Sequence, residues 1–503
     1  MAASEISPHV DSIQASSTAD SSHPNVKLER VAFGSCHSRE AVNKRLLPKA
    51  KSTAIVPHAK TIWDVISSTV QPQTFLWTGD AIYASKKTKG DTPLSVMQNE
   101  YQQMLHNETF GYARFLNRDE MLVGGVHGTW DDHDYGGNDR GRELKEREER
   151  RDAYLDFLDV PKDSARRQRN GVYGSVEFGK DAPVASESAP QGENSKVKVI
   201  FLDTRWHRSR HCIPSVGGNP YLPYGAIVAC VTRLITAELD LPSILPSWTS
   251  CSNDANILGE DQWTWLEQQL EESNASMHVI ISSIQVLTTN PVVESWGHFP
   301  TERERLIKLL NNVPGLVILS GDVHHAEIST TKQRNNQFDD QTKKEMIGSK
   351  AVNKGAIVEI TSSGLTHSCD EPFYGPLCKP ILDTFPAHRF MGGDVNDGKR
   401  PSYFTSKNFG SIDINWISRS YKVHVHDNAG DIVLSTGSFD MDTVAGMSNE
   451  QLSTVAKCID GRFLLLMRAM APFCITGIVL ISVCFFYYLR SIPLRQKYKC
   501  KKI

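Results

Sequence analysis

The 503-residue sequence lacks a dominant charge. Its 55 lysines and arginines stand against 58 aspartates and glutamates, for a formal charge of −3. A balance this close excludes a global field directed at nucleic acid or anionic lipid. None of the ten cysteines forms a zinc-type CxxC pair, which excludes a zinc-ribbon kind of site. Met1 to about Lys27 has neither the basic start nor the apolar centre of a signal peptide. Rich in Ser, Ala and Asp, it reads as a disordered tail, residues 1–27. Long uncharged apolar runs are absent too, with one exception at Ala469–Leu489.

What is present fits an α/β chain. Its length allows a large core, in one big domain with insertions or in two closely packed ones. Short apolar runs at 31–33, 74–78, 121–126, 197–202, 278–287, 316–320 and 356–364 read as buried strands. Between them, helical spacing is found over 58–70, 94–105, 140–158 and 262–270, and over a helix capped by Thr301 that ends at Leu310. Residues 419–426 and 432–436, joined through Asn428-Ala429-Gly430, form a hairpin. Residues 209–258, with prolines, glycines and three cysteines, look like an insertion. Cys369 and Cys378 bracket a short proline-containing loop. They form a disulfide in an oxidising compartment and two thiols in a reducing one.

The chemistry sits where strands end. Thr129 to Asp139 packs Asp131, Asp132, His133, Asp134, Tyr135, Asn138 and Asp139 into one run after the 121–126 strand. So many like charges repel unless a cation, a proton or an arginine compensates them. Most Asp/Gly/Asn clusters are solvated turns. The interleaved Trp130, His133 and Tyr135 turn this one towards a metal site. The strand at 74–78 runs into Gly79-Asp80, with Tyr83 three residues on, and the strand at 316–320 into Gly321-Asp322-Val323-His324. Asp322 and His324, two apart, share a face on extended chain. An aspartate's two oxygens suit it to bridge two metals, a role open to Asp80. Cys36, just past the 31–33 strand, is either a buried packing thiol or a thiolate ligand. Arg205 and Arg208 either clamp phosphate oxygens or neutralise the acidic cluster. Thiolate, phenolate and imidazole suit a transition metal, whereas carboxylates and amide oxygens suit calcium, magnesium or manganese.

In this order and combination, six pieces resemble the alkaline phosphatase D-like (PhoD-like) metallophosphatases. They are Phe33-Gly34-Ser35-Cys36, Gly79-Asp80-Ala81-Ile82-Tyr83, Trp130 to Asp134 with Asn138-Asp139, Leu202-Asp203-Thr204-Arg205, Ser320 to His324, and Glu359 to Gly364. The resemblance runs from about residue 30 to 440, within a domain taken as 28–455. It implies a calcineurin-like αββα sandwich and an iron–calcium centre, with manganese, magnesium or zinc as other occupants. Position by position, it implies Cys36, Asp80, Tyr83 and His324 as iron ligands. Asp80, Asp132, Asp322 and Asn138 are implied around the second metal or metals.

The function that follows is hydrolysis of phosphate esters, with a metal-bound hydroxide attacking phosphorus in line. His133 is the candidate acid for the leaving oxygen and Arg205 a candidate phosphate contact. The competing reading is a membrane-anchored interaction protein that keeps the fold without the activity. No ligand position is visibly lost, which speaks against it. Residues 469–489 are long enough to span a bilayer at about 20 residues per span, and a basic tail, 490–503, follows. This predicts a single-pass membrane protein of the endoplasmic reticulum or another endomembrane. The orientation signals conflict. Six basic residues after the span against three before it favour a cytosolic tail. With no signal peptide ahead of the domain, post-translational insertion leaves the domain in the cytosol. The ending Lys499-Cys500-Lys501-Lys502-Ile503 resembles a retrieval signal read from the cytosol.

Overall fold

The computed structural model describes residues 19–39, 60–84, 91–118, 121–180, 194–211, 255–288, 290, 293–331, 354–355, 357–371, 375–384, 403–442 and 444–445. Within them two sheets face each other. One runs Ile432–Ser435, Ser420–Asp427, Asn408–Asn415, Arg30–Gly34, Thr74–Thr78, Val126–Thr129, with Phe439–Asp440 also paired to the second strand. The other runs Ser21–His23, Gly174–Phe178, Val197–Phe201, Met277–Ile281, Leu316–Ser320, Val358–Ser362, Ala326–Thr330, Tyr403–Phe404.

The apolar runs explain the layering. Successive side chains of a strand point to opposite faces, and strands buried on both faces read as continuous apolar runs. Val31, Phe33 and Leu76 of the first sheet meet Val199, Phe201, Val279, Ile281, Val317 and Leu319 of the second in one core between the sheets. The alternate residues Ala32, Phe75 and Trp77 face outward, into a core built with helices Ile62–Thr69, Leu94–His106 and Arg147–Phe157. Ile200, Ile280 and Ile318 face a third core with helices Glu260–Glu271 and Pro300–Leu310. The layers are therefore helix, sheet, sheet, helix, as expected.

Several boundaries differ from the sequence reading. The strand expected at 121–126 begins only at Val126. Leu122 (φ 53°) and Gly125 (φ 75°) put the earlier residues into a left-handed turn. The helix expected from 140 starts at Arg147, after Glu146 at φ 56°. The strand expected over 278–287 spans only Met277–Ile281; farther on, the Glu359 carboxylate takes the N–H groups of Val286 and Leu287 (2.8 and 2.7 Å). Thr301 is not the cap of its helix, which starts with Pro300. The tail read as disordered to about Lys27 contributes Ser21–His23, paired in parallel with Gly174–Phe178. Asp20 anchors it by accepting from Arg169 (2.7 Å) and from the Ser175 N–H (2.9 Å). Cys369 and Cys378 are joined as a disulfide.

Among the described residues no helix is long and apolar enough to cross a membrane. The expected span at 469–489 and tail at 490–503 lie outside them, as do 1–18 and most of the insertion, 212–254.

Histidines held neutral in the fold, such as the buried His278 and the part-buried His127, should make it acid-sensitive. His278 Nδ1 faces the Pro314 carbonyl (2.9 Å), so it carries the proton, and Nε2 accepts from the Ser273 hydroxyl (2.8 Å). Burial lowers its pKa from 6.5 to about 4, and burial does the same to His127. As pH falls below 6.5 the unfolded chain takes up protons that the folded chain refuses. Each histidine thus removes stability, up to about 3 kcal/mol near pH 4, at ~1.4 kcal/mol per pH unit. Below that the folded form protonates too and the loss levels off. His278→Gln should flatten the fall of melting temperature between these pH values; an unchanged slope would contradict the assignment.

Candidate metal centre

The two sheets bring the carboxyl ends of their parallel strands to a common edge, where α/β folds place their sites. Arg30–Gly34 delivers Cys36, Thr74–Thr78 delivers Asp80, Val126–Thr129 delivers Asp131 and Asp132, and Leu316–Ser320 delivers Asp322 and His324. A backbone bridge between Ser35 and Ser363 ties the sheets together at this edge. Glycine is required at two of the turns. A Cβ on Gly79 (φ 104°) would stand 2.5 Å from Asp131 Cβ, and one on Gly321 2.6 Å from the Thr78 carbonyl oxygen. Cys36, Asp80, Asp322 and His324 themselves hold φ values of 62°, 52°, 72° and 58°. Four strained residues at one edge mark a place where side-chain position outweighs backbone comfort.

Their side chains converge. Cys36, Asp80 and His324 each bring one ligand atom within 4.8 Å of the others, and so do Asp80, Asp131, Asp132 and Asp322. Asp80 belongs to both groups. The Tyr83 hydroxyl donates to Asp80 Oδ2 (2.6 Å) and lies 2.9 Å from His324 Nε2. Asp80 Oδ1 accepts from the His133 N–H (3.2 Å). Asp132 Oδ2 accepts from the Asp139 N–H (2.8 Å). Its Oδ1 and Asp131 Oδ2 are buried with no hydrogen-bond partner among the described residues. Burial pushes the carboxyls of Asp80 and Asp322 well up, and the neighbouring carboxylates push them further. Cys36 and Tyr83 are also raised, by burial first and then by the Asp80 charge. Arg205 compensates only part of this negative charge, and a bound cation would favour the ionised form of each of these groups.

Other predicted residues stand around the cluster. The His133 ring lies on Tyr83, centroids 4.0 Å apart, and its side chain keeps some exposure. Asn138 is exposed on the following turn, and its side chain makes no hydrogen bond among the described residues. Arg205 is fully buried. Its guanidinium bonds Asp131 Oδ1 (Nε at 2.6 Å) and both oxygens of Glu294 (2.9 and 3.1 Å). That is the neutralising arrangement. A second cluster, Asp139, His211 and Glu294, also has ligand atoms close together. The Arg208 guanidinium already stands in it, 3.0 Å from Glu294 and 2.7 Å from His211 Nε2, so its positive charge is supplied by the protein.

Four contributors had no individual site role in the sequence reading, although Asp131 and Asp134 lie in its acidic run and Ser363 in its Glu359–Gly364 piece. Asp131 belongs to the four-carboxylate group. Asp134 clamps the 80–83 turn by accepting from the N–H groups of Ala81 and Ile82 (3.1 Å each), and burial raises its carboxyl to about 7. Ser363 touches Cys36. The His367 ring stands edge-on to Tyr83 and His324, centroids 4.5 and 4.4 Å away. For the first two, the acid-rich run was itself the signal. Nothing local marks the last two, which reach the site from the end of another strand.

Fold and centre together define the class: a mixed α/β sandwich with a candidate metal-binding cluster across the ends of both sheets. The chain belongs to the PhoD-like phosphatase family, which it matches over residues 58–374, more than half its length. A stretch of 89 residues is 33% identical to alkaline phosphatase D of Bacillus subtilis (strain 168). It covers 16% of this chain and only 15% of that protein. Among solved structures the chain is similar to PhoD at 15% identity and a TM-score of 0.41, covering 90% of this chain and 79% of that one. It is also similar to a purple acid phosphatase from yellow lupin (Lupinus luteus) seeds, at 10% identity and a TM-score of 0.40, covering 87% and 57%.

Proposed function

We propose that the protein is a metal-dependent phosphoesterase that hydrolyses phosphate esters. The observation carrying this reading is the convergence of Cys36, Tyr83 and His324 on Asp80, beside Asp131, Asp132 and Asp322. The donor set fits metal ions. It mixes hard carboxylates with thiol, phenol and imidazole, and it holds two buried carboxylate oxygens with no hydrogen-bond partner among the described residues. Cys36, Asp80, Tyr83 and His324 would hold iron. Asp80, Asp132 and Asp322 would hold calcium, and Asn138, exposed on its turn, has the least contact with the rest. When bound, such ions supply Lewis acidity for phosphoryl oxygens and lower the pKa of a water.

The chain's own residues do the remaining work. Asp134 fixes the turn that carries Asp80 and Tyr83. The His133 N–H orients Asp80 Oδ1, and in the metal-free protein the Tyr83 hydroxyl holds Oδ2. The His133 imidazole, partly exposed beside Tyr83, is placed to hand a proton to the leaving oxygen. Arg205 keeps Asp131 ionised and in position. Full-length protein purified in detergent and supplied with iron and calcium should hydrolyse an aryl phosphate and stop on chelation. A folded, iron-containing preparation that cleaves neither monoesters nor diesters would overturn the reading.

Placement at an endomembrane belongs to the same proposal and rests on residues 469–489. The chain should stay with membranes through alkaline carbonate extraction, and a chain lacking 469–503 should be released. Release of the intact chain would refute the anchor.

A further inference from the structure

We propose that Ser363 is a positioning residue that donates a hydrogen bond to the Cys36 sulfur and so tunes the metal bound there. The inference rests on the reading of Cys36 as a metal ligand. Ser363 follows Val358–Ser362, and its Oγ lies 3.0 Å from Cys36 Sγ. The same oxygen accepts from the His324 N–H at 2.9 Å. A hydroxyl has one proton to give. Since the backbone N–H fills one of its lone pairs, the proton is free to point at sulfur. Two other hydroxyls face the sulfur: Ser35 Oγ is farther at 3.7 Å and also faces the Ser362 carbonyl (3.4 Å), and the Tyr83 hydroxyl donates to Asp80 Oδ2 (2.6 Å). One side chain therefore spans two ligand positions, holding the sulfur of Cys36 and the backbone of His324. Both of those residues are in the left-handed region and need outside support. The segment is itself held, because Leu365 and Thr366 donate their N–H groups to the carbonyls of Ser35 and Cys36 (3.1 and 3.3 Å).

A donor at a thiolate draws charge from sulfur. It weakens donation to the metal, moves the sulfur-to-metal charge-transfer band to higher energy and raises the reduction potential. Removing it should do the reverse.

The test uses full-length protein in detergent, loaded with iron, comparing wild type, Ser363→Thr, Ser363→Val and Cys36→Ser. Threonine keeps the hydroxyl and valine has its shape without it. Ser363→Val should shift the charge-transfer band to longer wavelength, lower the midpoint potential and weaken iron binding by about 10–100-fold. Ser363→Thr should stay near wild type on all three. Loss of iron from a folded Ser363→Val protein alone would also support the proposal. Equal bands and potentials in the Thr and Val proteins, both holding iron, would overturn it. Ser363→Ala, which deletes only the oxygen, repeats the comparison against wild type if either branched side chain fails to fold. If Cys36→Ser keeps the wild-type band, the ligand reading has failed instead, and the proposal falls with it.

Discussion

Replacing Asp80 by asparagine is expected to lower the rate of phosphate-ester hydrolysis by about a thousandfold or more, while leaving the metal-free protein at least as stable. Asparagine is the informative substitution because it keeps the size of the side chain and tolerates φ 52°, where a β-branched residue would be strained. What it loses is charge and one acceptor. Both Asp80 oxygens are in use, Oδ2 by the Tyr83 hydroxyl and Oδ1 by the His133 N–H. The amide oxygen can still accept from the His133 N–H, while the amide nitrogen faces the Tyr83 oxygen, which can accept it and turn its own proton to His324 Nε2 (2.9 Å). The lost charge is the one shared by the thiol–phenol–imidazole group and the carboxylate group. Several kcal/mol of transition-state stabilisation depend on it, and each ~1.4 kcal/mol is tenfold in rate. Stability should move the other way. Burial and the charges of Asp132, Asp131 and Asp134 raise the Asp80 carboxyl, so the ionised side chain destabilises the metal-free fold. Wild-type turnover in the Asn variant would sink the function. A large fall in metal-free melting temperature would instead make Asp80 a structural residue.

The same chemistry decides what could be read from the sequence. The run of strand, glycine and acid at 74–80 and 316–322 was legible because burial on both faces writes continuous apolar runs and the sharp turn demands glycine. Strand Asn408–Asn415 was not. Its NFGSIDIN alternates at its outer end, and it owes its place to pairing with both Arg30–Gly34 and Ser420–Asp427. The segment beyond Ile281 is likewise held by Glu359, far away in sequence, through the N–H groups of Val286 and Leu287. In the centre, acids and ligand-type residues following their strands were visible as clusters, whereas Ser363, though it follows a strand, and His367 show their part only through tertiary contact with Cys36, Tyr83 and His324. The two roles left open for Arg205 were indistinguishable in sequence, since a phosphate and a carboxylate ask the same of a guanidinium.

Arg205→Ala is expected to cost about 3–5 kcal/mol of folding stability, the range for removing one partner of a buried ion pair. Asp131 has no exposed surface and Glu294 almost none, and the Arg205 guanidinium contacts both. Glu294 would keep Arg208 and His211, whereas Asp131 would keep the Ser283 hydroxyl (2.6 Å) and its capping contact with the Asp134 backbone, but no cation among the described residues. The pH dependence identifies the cause. With Arg205 present, burial already raises the Asp131 carboxyl to about 6, and Arg205 is the largest influence holding it down. Without the arginine the folded-state value must climb further above the ordinary 3.8. A carboxyl raised in the folded state costs nothing at pH values below both constants. The cost grows as pH rises between them and is complete above the folded value. The variant should therefore lie closest to wild type in acid and fall farthest behind in mild alkali, and Asp131→Asn added to it should restore part of the loss. A phosphate contact behaves differently: its removal would raise KM and leave the melting curve unchanged at every pH. Denaturant unfolding of the metal-free proteins across that range separates the two roles without any turnover measurement.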